Sequence, residues 1–276
     1  MELWFTEKYS KNAGITIKVK KEIASENSDF QEMSIIDTYE FGKIMILDGC
    51  IMLTDTDEFI YHEMIAHVPL FSHKNPENIL IIGGGDGGAV REVLKHKSVK
   101  HIDLVEIDEM VIRASIEYFP HISSELKNPK VTINICDGIK FVENTNIKYD
   151  IAIVDSTDPI GPAVGLFQRE FYKSIYDILT KEGILVVQGE SPYYGYSRKS
   201  FIDINRELKA IFSFSKPYFA FIPTYPSGMW SLGYARKDGM DITKPVRKKN
   251  FNTKYYNKEI HIASFAHPEF VKELLE

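Results

Sequence analysis

The sequence predicts an α/β chain in which a mostly parallel, helix-flanked sheet follows a small antiparallel β-domain. Two observations carry this. From about residue 79, short apolar runs ending in turn residues alternate with amphipathic stretches, the rhythm of βαβ units in a sheet buried on both faces. Before that, Gly14 to about Thr54 alternates polar with apolar and β-branched residues, and has turn chemistry at Glu40-Phe41-Gly42 and Leu47-Asp48-Gly49.

The elements follow in order. Asp57 to Phe71 carries helical periodicity in Phe59, Ile60, Met64, Ile65 and Val68, and Asn75-Pro76-Glu77 breaks the chain before the next strand. Strands are expected at Ile79 to Ile82, His101 to Glu106, Val131 to Ile135, Tyr149 to Asp155 and Gly183 to Gly189. Pro217 to Pro223 and Met229 to Arg236 read as two more, and the tail from about Pro268 reads as helix. The expected division is an N-terminal β-strand domain at 1–56 and a catalytic domain at 57–276. Neither an internal repeat nor a low-complexity segment is evident.

Composition narrows the function. At 276 residues, with 44% hydrophobic and 26% charged residues, the chain is ordinary globular protein. Its 33 basic and 39 acidic residues give a formal charge of -6, which argues against a nucleic-acid surface and favours a cationic small substrate. The basic run from Lys237 to Lys249 therefore reads as a solvated loop. Cys50 and Cys136 lack metal spacing or a disulfide framework, so they read as core thiols in a reducing, cytoplasmic setting. The opening residues are no leader, and no run is of membrane-spanning length. Eight histidines show no recognised metal spacing, and no metal is expected.

In open α/β sheets, ligands sit beyond the carboxyl ends of the strands, so unusual residues there carry the functional signal. The first strand ends in Gly83-Gly84-Gly85-Asp86-Gly87-Gly88, a loop open to close backbone approach at a helix start. Gly83, Gly85 and Gly88 satisfy the dinucleotide pattern, a turn that nucleotide-binding and adenosyl-sulfonium-binding Rossmann-like folds share. Asp86 discriminates among ligands, because a carboxylate there repels a pyrophosphate and attracts an ammonium or sulfonium. The second strand ends in Glu106, about 20 positions later, the spacing of a ribose ligand, with Asp108 read as a helix cap. At Asp137-Gly138 an aspartate that accepts from an adenine amino group and a plain N-cap remain alternatives. The fourth strand delivers Asp155, then Asp158, in a loop stiffened by proline and glycine.

Asp86, Asp155 and Asp158 form a cluster of anions whose repulsion is relieved by bound cations. An aliphatic amine of pKa near 10.4 costs roughly 4 to 5 kcal/mol to deprotonate at pH 7. Alignment with an electrophilic carbon contributes on the order of 7 to 11 kcal/mol, which offsets that cost. The expected chemistry is direct displacement on an adenosyl sulfonium, with Asp155 taking the proton, Asp158 holding the amine and Asp86 gripping a second ammonium.

The runs Gly83 to Gly88, Val105-Glu106-Ile107-Asp108 and Asp155-Ser156-Thr157-Asp158-Pro159-Ile160-Gly161-Pro162 closely resemble those of spermidine synthases, the polyamine aminopropyltransferases. The likeness extends to Trp4-Phe5-Thr6-Glu7, Leu47-Asp48-Gly49, Asp57 to Met64, Ile222 to Gly228, and Tyr255-Tyr256-Asn257 with His261 and Phe265. It implies a methyltransferase-type Rossmann-like sheet and aminopropyl transfer from decarboxylated S-adenosylmethionine, a co-substrate rather than a cofactor, to putrescine. Spermidine and methylthioadenosine are the implied products. By resemblance, Asp155 is the proton acceptor, and Tyr61, His62, Asp86, Asp158 and Tyr225 surround the amines. Gln31, Gly83, Gly85, Glu106, Asp137, Gly138 and Pro162 contact the nucleoside, and the chain forms a homodimer or homotetramer through its N-terminal β-domain. Many family members have glutamine where this chain has Met52 and Met229, which leaves agmatine, cadaverine or spermidine open as acceptors. Glu190 lies near the far amine or in solvent, and Tyr193, Tyr194 and Tyr196 share a loop that lines the pocket or a subunit contact. The rival readings are an S-adenosylmethionine methyltransferase, a dehydrogenase, and a silent polyamine or nucleoside sensor.

Overall fold

A computed structural model describes residues 2–158 and 161–276, the side chain of Pro162 excepted. Five antiparallel strands come first, in the order of the chain: β1 (Leu3–Ser10), β2 (Ala13–Asn27), β3 (Glu32–Thr38), β4 (Lys43–Leu47) and β5 (Cys50–Thr54). β1 begins well before Gly14, where the alternation becomes regular in the sequence, because its pattern is half-exposed and its order comes from pairing with β2 and from the Ile51 amide on Glu7. Met33, Ile35, Met45, Leu47 and Leu53 on one face of this sheet pack on Met110, Val111, Ala114, Phe119 and Ile122, in and just beyond α3 (Glu109–Tyr118).

The larger sheet interleaves strands and helices. The chain runs α1 (Glu58–Ser72), β6 (Asn78–Gly83), α2 (Gly88–Leu94), β7 (His101–Glu106), α3, β8 (Val131–Ile135), α4 (Gly138–Asn144) and β9 (Tyr149–Asp155). It continues through α5 (Arg169–Ile178), β10 (Leu179–Gln188), α6 (Gly195–Ile211), β11 (Phe214–Ser215), β12 (Tyr218–Phe221) and β13 (Met229–Arg236), and closes with α7 (Lys258–Ser264) and α8 (Glu269–Leu275). The strand order is β11-β13-β10-β9-β6-β7-β8, with β12 also on β13. Strands β6 to β10 are parallel, and β13 runs antiparallel.

β6 has β7 on one side and β9 on the other, so the chain direction across the sheet reverses at β6 and opens a crevice at its carboxyl end. β9 is buried from Ile151 to Val154, as a strand covered on both faces must be. α1 is buried from Ile60 to Ser72, so it behaves as a core helix despite four ionisable residues, each of which needs a partner. Glu63 meets that need by accepting from the backbone amides of Lys254, Tyr255 and Tyr256 at 2.7, 2.8 and 2.7 Å, which ties down the chain ahead of α7.

Three expectations are corrected. Cys136 is exposed rather than a core thiol, because it follows β8 at the sheet edge, and Cys50 is half-buried. Tyr196 belongs to the first turn of α6, not to a loop with Tyr193. The basic run is not simply solvated: Arg247 donates to the carbonyls of Leu70 and His73, capping α1, and Lys237 donates to Tyr176 and Leu179. Long basic side chains bury their stems while their charges find carbonyls, which a charge count does not reveal. Among the described residues no helix is long and apolar enough to cross a membrane.

Candidate active site

The site forms where β6 and β9 end side by side. Gly83 pairs with Asp155, and the Gly84 amide donates to the Asp155 carbonyl at 2.8 Å. A β-carbon on Gly83 would lie 2.1 Å from that carbonyl oxygen, and its φ of +79° also requires glycine. The glycine loop thus lets a carboxylate from the neighbouring strand come flush against it.

Asp155 and Asp86 face each other across this junction, with His62 of α1 between α2 and the pair. One ligand atom from each of the three lies within 4.8 Å of the others. Tyr61 donates to Asp155 Oδ1 at 2.6 Å, while Oδ2 is buried and has no partner among the described residues. Burial and the Asp86 charge push Asp155 up to about 6, against the opposing pull of His62 and the Tyr61 hydroxyl. Burial also acts to raise Asp86, but His62 and the Gly88 amide, at 2.6 Å, outweigh it and hold Asp86 below its usual range. Two neighbouring carboxylates are therefore poised differently, one a firm anion and one titrating near neutrality. Burial disfavours the His62 cation, yet Asp86 and Glu58 on either side raise it to about 10. With both ring nitrogens against carboxylates, His62 reaches the site through Asp86.

The groups expected at a nucleoside lie along the adjoining strand ends. A β-carbon on Gly85 would meet Glu106 Oε2 at 2.9 Å, and the Gly85 amide donates to that oxygen at 3.2 Å. Burial raises Glu106 to about 7 against hydrogen bonds from the Asp108 and Gly85 amides. Asp108 caps α3 through the Met110 amide, and its other oxygen accepts from Gln31 at 2.8 Å, bringing β3's leading loop to the same crevice. Asp137 caps α4 through the Ile139 amide, and a β-carbon on Gly138 would press Ile82 at 2.6 Å. Pro162 lies outside the described residues as far as its side chain is concerned.

A second acidic group sits beyond Asp155. Asp158 and Glu190 share a hydrogen bond, and burial followed by mutual repulsion raises Glu190 well above its usual value, while burial raises Asp158. Glu190 has φ of +67°, uncommon for a side-chain-bearing residue, and its carbonyl accepts from the Ser231 amide and hydroxyl, which hold that conformation. The solvated alternative for Glu190 is thereby overturned: it is buried. Glu7, from β1, adds a third carboxylate; burial raises it to about 7, the Ile51 amide opposes this and the Asp158 charge adds to it. The resemblance touched Glu7 only as part of a terminal run, and its signal in the sequence is a single acid inside a half-buried alternation.

Tyr225 stacks obliquely on Tyr61 at 5.9 Å and donates to the Met52 carbonyl at 2.6 Å, so Met52 takes part through its backbone. Asp57 positions this loop: it accepts from the Thr224 hydroxyl at 2.7 Å and from Thr54 at 2.7 Å. Met229 packs with Phe201, Phe219 and Val271 and also faces a cavity of about 710 Å³ lined by Tyr193, Tyr194, Phe221 and Pro223. That cavity does not contain Asp155 or Asp86. It adjoins the Glu7 end through the ring contact of Tyr194 with Tyr9, which lies within electrostatic reach of Glu7.

Residues 58–244 match the spermine/spermidine synthase domain, and residues 3–55 match the spermidine synthase tetramerisation domain. Over its full length the chain is 50% identical to a polyamine aminopropyltransferase of Alkaliphilus metalliredigens, 99% of which is covered, and 46% identical to one of Bacillus cereus, covered entirely. A spermidine synthase solved in complex with the transition-state analogue AdoDATO superposes with a TM-score of 0.94 at 43% identity, over 99% of this chain and 94% of that one. A spermidine synthase from Thermotoga maritima superposes at 0.91 with 42% identity over the same shares. The chain belongs to the spermine/spermidine synthase family of polyamine aminopropyltransferases.

Proposed function

We propose that the chain moves the aminopropyl group of decarboxylated S-adenosylmethionine to putrescine, with Asp155 as proton acceptor. The amine nitrogen forms the new bond to the carbon beside the sulfonium. The carbon–sulfur bond breaks, sulfur keeps the electron pair as neutral methylthioadenosine, and the amine proton passes to Asp155. No metal or prosthetic group takes part.

The observation that carries this reading is the pairing of unlike carboxylates at one strand junction: Asp155 with a free oxygen and a value of about 6, beside an Asp86 that stays ionised. Asp155 is then largely deprotonated at pH 7 and able to take a proton, and Asp86 binds the ammonium of the aminopropyl chain. A methionine carboxylate at that place would meet Asp86 as a like charge, which selects the decarboxylated donor. Tyr61 and Tyr225 enclose the attacking amine. Asp158, backed by Glu190 and Glu7, takes the far ammonium of the acceptor. Glu106 and Gln31 hold the ribose side of the nucleoside, with Asp137, Gly138 and Pro162 around the base and Gly83 and Gly85 against its backbone-facing edge. The chain acts as a homodimer or homotetramer through β1 to β5, a reading supported by the match of residues 3–55.

The test is product identification by mass spectrometry after incubation with decarboxylated S-adenosylmethionine and putrescine, agmatine, cadaverine or spermidine in turn. Spermidine with methylthioadenosine from putrescine is the expected result. A faster reaction with another amine moves the acceptor assignment, and no alkylated amine from any of them overturns the transferase reading.

A further inference from the structure

Behind Asp86 lies a run of buried charges that the displacement chemistry does not use. Glu58, the first residue of α1, accepts from His62 Nδ1 at 2.6 Å. Arg91 of α2 grips the same carboxylate with two nitrogens, at 2.8 and 3.1 Å, and turns its Nε to Glu92 at 2.9 Å. On the other side of the ring, His62 Nε2 lies 3.3 Å from Asp86 Oδ1. The ring is pinned: a β-carbon on Gly88 would lie 2.3 Å from it, so α2 closes on His62 with no slack.

This arrangement answers an electrostatic problem. Asp86 and Asp155 are buried close together, and without a cation one of them binds a proton. If Asp86 took it, the group meant to attract an ammonium would be neutral. A buried imidazole on its own is also neutral, because burial disfavours the charged form. The groups facing His62 are Glu58 from its own helix, Asp86 from the glycine loop, Asp155 from the end of β9, Arg91 behind Glu58, and the edge of the Tyr61 ring at 5.5 Å. Only Glu58 adds a negative charge that no substrate contacts.

We propose that Glu58, anchored by Arg91, is a positioning residue for the donor's ammonium: it holds His62 as an imidazolium, which keeps Asp86 ionised beside Asp155. The proposal rests on the reading of Asp86 as the ammonium ligand. It assigns donor affinity to a residue that touches no substrate, and it makes Glu58 discriminate between a donor that carries an ammonium and a product that lacks one.

The test compares two affinities in one protein. Decarboxylated S-adenosylmethionine carries the ammonium, and methylthioadenosine does not. For Glu58→Gln, calorimetry is expected to show donor affinity weakened about tenfold or more with methylthioadenosine affinity held within about twofold. The donor deficit relative to wild type should narrow at pH 6, where His62 regains its proton, and Glu58→Asp should restore part of the affinity. Nitrogen NMR on histidine-labelled protein should show the His62 imidazolium giving way to the neutral ring at a lower pH in Glu58→Gln than in the wild type. If Glu58→Gln does not fold, Glu58→Asp, which keeps the charge but draws it back from the ring, should move both readouts in the same direction by less. Equal weakening of both ligands, or an unchanged His62 signature, overturns the proposal. A wild type that binds neither ligand overturns the aminopropyltransferase reading instead, while the NMR signature still decides the role of Glu58.

Discussion

Tyr61 donates its phenolic hydrogen to Asp155 Oδ1 at 2.6 Å, which leaves the second carboxylate oxygen buried and unpartnered among the described residues. One oxygen is fixed and the other is available, so the carboxylate is oriented before any substrate arrives.

The first prediction follows from the loss of that hydroxyl. In Tyr61→Phe, Asp155 loses a hydrogen bond that favours its charged form, so its pKa rises above about 6. A base that must be deprotonated then loses activity at a higher pH. The acidic limb of kcat/KM, near pH 6 in the wild type, should move upward in Tyr61→Phe, with a fall in rate at pH 7 of about tenfold. A pH–rate profile with an unmoved limb would remove Tyr61 from this role.

The second concerns Asp158 and Glu190. Both have raised values when folded, so the native state binds more protons than the unfolded chain between the unfolded and folded values. Stability from this pair is present at low pH and is lost as pH rises through the folded values. Glu190→Gln should therefore lose less Tm than the wild type as pH is raised from about 5 to about 9, by roughly 2–4 °C for each kcal/mol of burial and repulsion cost removed. The same variant should bind putrescine less tightly, since it lacks a carboxylate that can ionise against the acceptor's ammonium.

A third prediction rests on the same protons. An ammonium entering beside Asp158 and Glu190 favours their ionised forms, so putrescine binding should release protons. Calorimetry in two buffers of different ionisation enthalpy measures this directly: the apparent enthalpy should differ in the sense of proton release, and no difference would show the pair already ionised.

The fourth prediction is structural. Gly83→Ala places a β-carbon 2.1 Å from the Asp155 carbonyl and at a φ of +79°, and neither strain is relieved by rotating a side chain. The left-handed backbone alone costs on the order of 1–2 kcal/mol. Separation of β6 from β9 adds to this. Thermal denaturation should show a marked fall in Tm together with loss of activity, in contrast to alanine at Gly195, where nothing lies within 4 Å.

Much of this site was legible in the sequence, because its groups sit at strand ends whose strands announce themselves. Ile151 to Val154 is an unbroken apolar run, and the residue that stops it, Asp155, is the candidate base. The glycine loop and Glu106 were readable for the same reason: spacing along a parallel sheet converts directly into position. What escaped were residues whose meaning depends on another segment. Glu58 and Arg91 are an acid and a base 33 positions apart, joined only when α1 packs on α2. Glu7 enters from a strand whose own alternation is half-exposed, and the choice for Glu190 between the far amine and solvent stays open until Asp158 is placed against it. The docking of Arg247 under α1 was hidden by the lysines around it.

The central claim, that Asp155 takes the proton of the attacking amine, is tested most directly by single-turnover transfer to putrescine with Asp155→Asn, in parallel with methylthioadenosine binding. Loss of a positioned base should lower the rate by about 10²–10⁴-fold while nucleoside affinity stays near that of the wild type. A variant that transfers the aminopropyl group within a few-fold of the wild-type rate at pH 7 would contradict the account and place the proton acceptor elsewhere.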